Sequence, residues 1–373
     1  MRGNIDIVRR LIEAGSFISA EVYLSRGHCI CLGSDNLEKI LSAQPFGNCL
    51  SLAILRGHKD LALWLIQNTS LGHECGSAVI GPLHATAFAK SKSIAEALLK
   101  DGCDPNYQRT VDYSVSPLHV AAAIRNNAEI IQLLIDQGAS VDICDKFSDT
   151  PLHYAIRFGN ITNCDTLLSA GSDPTAKDLM GENVLDYASR QDSTLSVTKR
   201  IVSSFETNDV FSALIKAYKR TWGTSETFRT LISELQERCA REKKDMRTLR
   251  QGIQLESPQS QLSERDRTLF WKRTSKYHRV FLSNRTFNLA AFGCLLDSGW
   301  VDIEERDEYN HTFLRSAVAM NNSRAARALL LRGADREGVF PDSHREQLRQ
   351  WELERKMTGH IWLPEEANKD ALN

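Results

Sequence analysis

Three histidines pose the first chemical question. His84, His119 and His153 close the tetrapeptides Gly81-Pro82-Leu83-His84, Ser116-Pro117-Leu118-His119 and Thr150-Pro151-Leu152-His153, spaced by 35 and 34 residues. Imidazoles can bind zinc, move a proton in catalysis or hold backbone groups. A fixed period puts these three on successive units, in line, whereas a metal or a catalytic proton needs them at one point, so a structural role is expected. His28-Cys29-Ile30-Cys31 and the pair His73 and Cys75 hold soft ligands. Two adjacent ligands do not complete a four-coordinate site, and free cysteine is mostly a small buried hydrophobe, so no metal is expected. The phosphate cradle GxxxxGK followed by Ser or Thr, GxGxxG after a strand, the GxSxG elbow and HExxH are all missing from the chain. Catalysis has no visible residue to rest on, and neither enzymatic activity nor a cofactor is expected.

The whole composition agrees with an ordered chain. Of 373 residues 42% are hydrophobic and 25% charged, with only 9 Pro, which excludes disordered and collagen-like classes. No run approaches the length of uncharged apolar residues that a membrane helix needs, and charges at Arg2, Asp6, Arg9 and Arg10 break any export signal, so no membrane partner is expected. The 9 Cys are odd in number and form no CxxC pair, which fits a reducing compartment, cytoplasmic or nuclear.

The tetrapeptides punctuate a longer repeat. Asn48-Cys49-Leu50-Ser51 lies 33 residues before Gly81, and Asn183-Val184-Leu185-Asp186 lies 33 after Thr150, so five units keep the register. Each unit reads as two short helices. Thr150 is an N-cap candidate, Pro151 fits the first turn, Ala155 allows close approach, Phe158-Gly159-Asn160 breaks the chain, Leu167 and Leu168 face the stack, and Gly171 ends the second helix. Asp145 to Asp149 and Asp178 to Glu182 form the turns into the next unit.

This pattern resembles the ankyrin-repeat family, in which a turn and two antiparallel helices occupy about 33 residues with Thr-Pro-Leu-His near the first helix. The resemblance implies a mostly α fold, an α-solenoid with a turn plus an antiparallel helix pair per repeat, and a structural use of the motif histidine. It covers about residues 3 to 190, with Gly3 to Gly15 matching a second helix that lacks its first. The chain thus begins mid-repeat, either as part of a longer multidomain protein or with an improvised cap. Residues 307–317 and 328–335 repeat the scheme, with Phe313 and Arg315 at the Pro and His positions. The expected organisation is an array over 1–190, a divergent helical segment over 191–286, a second ankyrin-like block over 287–340 and a C-terminal helix and tail over 341–373.

In the divergent segment Ile232, Leu235, Cys239, Met246, Leu249 and Ile253 keep a 3-4 spacing that predicts a long amphipathic helix, either packing on degenerate repeats or forming a coiled-coil seam. Charge divides the chain. Residues 1–190 hold 16 Lys+Arg against 21 Asp+Glu, a balance of −5, and 216–286 hold 17 against 8, a balance of +9. The basic stretch, with Trp271 and Tyr277 among its cations, could take nucleic acid or an acidic ligand, or serve as a solvated helical face.

Repeats of this family bind protein partners along turns and first helices, and the resemblance places the candidate contacts there. They are Arg109, Asp112 and Tyr113 in one turn, Lys146, Phe147 and Asp149 in the next, Met180 and Glu182 in the third, and Arg157 and Phe158 at the end of a first helix. Exposed aromatics and Arg carry most interface energy, so Tyr113, Phe147, Arg157 and Phe158 are the expected anchors. The partner's identity is not readable from these residues.

Overall fold

A computed structural model describes residues 48–72, 81–108, 113–190, 194–218, 226–242, 287–307 and 310–335, with 6, 10, 278, 281, 282, 346, 349 and 350 besides. The fold is mostly helical, and the only β features among these residues are two isolated bridges, Lys177 with Asn183 and Arg306 with Thr312. The chain divides into two compact units, Met1–Ala188 and Ser189–Asn373.

The first unit is a stack of helix pairs: α1 (Cys49–Leu55) with α2 (Lys59–Asn68), α3 (Pro82–Ala89) with α4 (Lys92–Lys100), α5 (Pro117–Ala123) with α6 (Ala128–Asp136), and α7 (Pro151–Arg157) with α8 (Ile161–Ser169), followed by α9 (Val184–Ala188). First helices pack on first helices and second helices on second helices along the whole series. Alanine makes this possible. Ala53, Ala85, Ala87, Ala121, Ala122 and Ala155 are buried between neighbouring first helices, where a longer side chain would hold the backbones apart. Leu98, Leu134 and Leu167 fill the second layer, each fully buried and contributing about 2 kcal/mol of hydrophobic free energy. Leu168, expected in the same layer, is only half buried because its helix position turns it away from the stack.

First helices other than α3, which Gly81 precedes, start on a built side-chain cap. Ser116 and Thr150 accept from the backbone of the third helical residue, and the histidine there reaches back to the cap. Asn183 repeats the device with Asp186 in the histidine's place: the Asp186 N–H donates to Asn183 Oδ1 at 3.0 Å, and the Asn183 N–H donates to Asp186 Oδ2 at 3.2 Å. Gly171 leaves α8 at φ 91°, a left-handed conformation that favours glycine. Between repeats, Asn160 donates to the Ala122 and Ala123 carbonyls at 3.0 and 2.8 Å, tying the start of α8 to the end of α5.

The second unit contains α10 (Leu195–Ile201), a 3-10 turn at Val202–Ser204, α11 (Thr207–Tyr218), α12 (Glu226–Glu242), α13 (Leu289–Asp297), α14 (Phe313–Ala319) and α15 (Ser323–Leu331). The predicted amphipathic helix is α12. Its Phe228, Leu231, Ile232, Leu235 and Cys239 are buried, and α10, α11 and α13 pack against it, so the face is occupied within its own unit. Met246, Leu249 and Ile253 lie outside the described residues, as does the half-repeat at 3–15 apart from the helical Asp6 and Arg10.

Candidate functional site

The motif histidines are frame elements. The Ser116 N–H donates to Nδ1 of His119 at 3.2 Å, which leaves the proton on Nε2, and Nε2 donates to the Asp149 carbonyl of the next repeat at 2.9 Å. His84 Nε2 meets the Val115 carbonyl at 2.9 Å in the same way. Burial pushes His119 down to about 4, so the ring stays neutral. Each ring also meets a tyrosine edge-on, His119 with Tyr154 at 5.0 Å and His153 with Tyr187 at 5.5 Å between centroids. His84 and His119 therefore transmit the register of one repeat to the next, and among the described residues no cluster of His, Cys, Asp and Glu could hold a metal ion.

The turns are held from beneath by carboxylates. Asp145 Oδ1 accepts from the Phe147 and Asp149 N–H groups at 2.8 and 2.9 Å, and its Oδ2 accepts from the Tyr154 hydroxyl at 2.9 Å. One repeat on, Asp178 Oδ1 accepts from Met180 and Glu182 at 2.8 Å each, and Oδ2 from the Tyr187 hydroxyl at 2.7 Å. Burial opposes ionisation of Asp178, but the Tyr187 hydroxyl and the two backbone donors outweigh it and hold its carboxyl below the usual range. In the sequence both aspartates were read only as turn boundaries, and neither tyrosine stood out. The signal was there, as aspartate followed nine residues later by tyrosine, twice in register.

Successive turns are joined edge to edge. The Lys146 N–H donates to the Tyr113 carbonyl at 2.9 Å, and the Leu179 N–H donates to the Phe147 carbonyl at 2.8 Å. Tyr113, Phe147 and Met180 thereby occupy equivalent tip positions. They are 39%, 43% and 84% exposed, with Leu179 at 67% beside them, and the Tyr113 and Phe147 rings lie 5.5 Å apart. Lys146 is exposed and Glu182 half buried at the same turns. The expected contacts Arg109 and Asp112 lie outside the described residues.

Asp149, Arg157 and Phe158 belong to the frame beneath the tips. Asp149 is 3% exposed and holds the Arg157 guanidinium at 2.6 Å. Arg157 also donates to the Tyr187 hydroxyl at 2.9 Å and lies 4.9 Å from the Tyr187 ring and 5.5 Å from the Tyr154 ring. Burial lifts the Asp149 carboxyl above its ordinary range despite the cation beside it. Phe158 is half buried, its ring 6.5 Å from that of Tyr154.

One constellation in the second unit has the residue types of a nucleophile set. His278, Asp307 and Ser316 are all buried, but Ser316 Oγ at 2.8 Å and Asp307 Oδ2 at 3.6 Å approach the same ring nitrogen, Nδ1. A proton relay needs serine on one nitrogen and the carboxylate on the other, and a nucleophile needs access to substrate. The group serves packing of the C-terminal repeat. Of the basic stretch, Arg238 is also structural: its buried guanidinium donates to the Phe205 and Val202 carbonyls at 2.7 and 2.8 Å and to Glu234 at 2.7 Å. No described helix is long and apolar enough to cross a membrane.

Comparison with known proteins places this frame. The family described as ankyrin repeats, in three copies, matches residues 83–178. Over 122 residues the chain is 31% identical to ankyrin repeat and SOCS box protein 11 of Danio rerio, covering 33% of this chain and 40% of that protein. It is 30% identical over 99 residues to E3 ubiquitin-protein ligase KEG of Arabidopsis thaliana, covering 26% of this chain and 6% of that one. With palmitoyltransferase Hip14 of Drosophila melanogaster it shares 35% over 98 residues, covering 26% and 15%. The chain spans less than half the length of each of these relatives.

Proposed function

We propose, on the premise that residues 83–178 are ankyrin repeats and so a protein-interaction module, that this chain is a non-enzymatic adaptor binding a protein partner through its turn tips and first helices. The observation that carries the reading is the row Tyr113, Phe147 and Met180, exposed apolar side chains held in register by a frame of buried hydrogen bonds. Large apolar groups fixed at the surface lose little entropy on binding, which is what an interface anchor requires. A cytoplasmic or nuclear setting accords with nine cysteines lacking a paired spacing.

The test is the triple variant Tyr113→Ala, Phe147→Ala and Met180→Ala in affinity purification followed by mass spectrometry. Partners retained by the wild-type chain should be lost, while the melting temperature moves little because none of the three side chains is buried. Equal recovery by the variant would discard this face. The second reading, nucleic-acid binding by the basic stretch 216–286, rests on its balance of +9. It requires affinity that falls steeply with salt, and no binding at low salt would remove it.

A further inference from the structure

The tip row specifies more about its occupant than that it is a protein. Resting on the reading above, we propose that Tyr113, Phe147 and Met180 seat an extended partner segment that carries apolar side chains flanked by Lys or Arg. Two observations with different physical content converge on this chemistry.

The first is the row itself. The three positions are equivalent in three successive turns, and backbone hydrogen bonds from Lys146 to Tyr113 and from Leu179 to Phe147 lock their spacing. Exposure rises along the row from 39% to 84%, so the largest uncovered apolar area lies at Met180 and its neighbour Leu179. A line of separate tips suits a segment that crosses several repeats, and it suits apolar side chains because aromatic faces and a thioether offer dispersion and no fixed hydrogen-bond pattern. Aromatic faces also attract cations.

The second is charge. Residues 113–190 hold five Lys+Arg against ten Asp+Glu, a balance of −5. A carboxylate stands two residues before two of the three tips, Asp145 before Phe147 and Asp178 before Met180, each accepting the N–H of that tip residue. Of the cations in this stretch, Arg157 is already paired with Asp149, and Lys146 and Lys177 stand exposed in the same two turns, where Asp142, Asp145, Asp173, Asp178 and Glu182 outnumber them. The field over the row is thus negative, so an approaching segment gains from basic residues, and one rich in Asp or Glu is repelled. The same sign argues against seating one copy's row on the row of a second copy.

The experiment pans a display library of random peptides of about 12 residues, a span that crosses several repeats when extended, on the purified full chain and again on the double variant Phe147→Ser and Met180→Ser. Peptides recovered by the wild type and lost from the variant should be enriched in Lys or Arg next to Leu, Phe or Trp. One of them, resynthesised with a fluorophore, should bind about tenfold more weakly to the variant and to the wild type at high salt. Row-dependent peptides that are neutral or acidic would overturn the proposal, as would affinity indifferent to salt, the absence of any row-dependent peptide, or self-association that buries the row. These failures are separable from failure of the adaptor reading. Cellular partners lost from the triple variant while the recovered peptides show no basic bias would leave the adaptor standing without this specificity. Circular dichroism melting of both variants checks that their frame is intact.

Discussion

The repeats beginning at Asp145 and at Asp307 build one device from different residues. In both, the aspartate N–H donates to the carbonyl four residues on, at 3.0 and 2.9 Å, and its carboxylate accepts the return N–H, at 2.9 and 2.8 Å. Both turns pass through a left-handed residue, Ser148 at φ 61° and Asn310 at φ 62°. Thr150 and Thr312 cap the first helix, and Asn160 and Asn322 reach back to carbonyls upstream of their own repeats, those of Ala123 and Leu282. They differ above the cap. His153 and Tyr154 of the first repeat are Arg315 and Ser316 in the second, where Ser316 binds the buried His278 instead of latching the turn aspartate as Tyr154 does. The turn and cap are therefore the invariant frame, and the histidine and tyrosine are an added coupling between neighbouring repeats.

The largest effect expected from this contrast is at the histidine. His119→Ala should cost about 3 to 4 kcal/mol in urea unfolding, because it removes the ring's hydrogen bonds to the Asp149 carbonyl and to the Ser116 N–H and opens a buried cavity. Arg315→Ala, at a position that contributes only its backbone N–H to the cap, should cost under about 0.5 kcal/mol. Equal losses would mean that the two repeats share more than the turn.

The pH dependence sharpens the same point. His119 has a folded value near 4, below the ordinary 6.5, so between these values the unfolded chain takes up a proton that the folded chain refuses. Its contribution is complete above about pH 6.5 and is lost as pH falls toward 4, amounting to about 3 kcal/mol at pH 4. Melting temperatures across that window should drop, and His119→Gln should flatten the slope.

Smaller effects test the latch and the turn. Tyr154→Phe removes the hydroxyl from Asp145 and should cost about 1 kcal/mol by denaturation, with partner binding reduced through loosening of the Phe147 tip. Ser148→Gly should add about 0.5 kcal/mol, since glycine already holds the equivalent turn position at Gly181, φ 73°. A loss of stability there would show that the serine side chain contributes something the turn geometry does not require.

Much of this was legible in advance for local reasons. The Pro-Leu-His tetrapeptides marked α3, α5 and α7 because an N-cap, a proline in the first turn and a buried leucine are all set within four residues. The α12 face was readable from 3-4 spacing, since burial on one side of a helix imprints that period. The tip residues Tyr113, Phe147 and Met180 could be nominated because turns project from a repeat. Asp149 looked like the tip residues in sequence but is buried against Arg157, because whether a turn aspartate faces water or an arginine depends on where Arg157 is carried by its helix. The Asp145 with Tyr154 and Asp178 with Tyr187 pairs escaped notice because each joins a turn to a helix nine residues away.

What the amino-acid order alone determined is the unit: its length, its caps, its breaks and its buried alanines and leucines, all consequences of contacts within a few residues or of helical period. What the tertiary structure decided is the use of each polar group. The repeat period already argued for a structural His119, but it named no partner, and only the stacking of α5 on α7 brings its Nε2 to Asp149 and removes it from water. The division between frame and surface follows from the same stacking, which buries whatever points along the repeat axis and leaves the tips exposed.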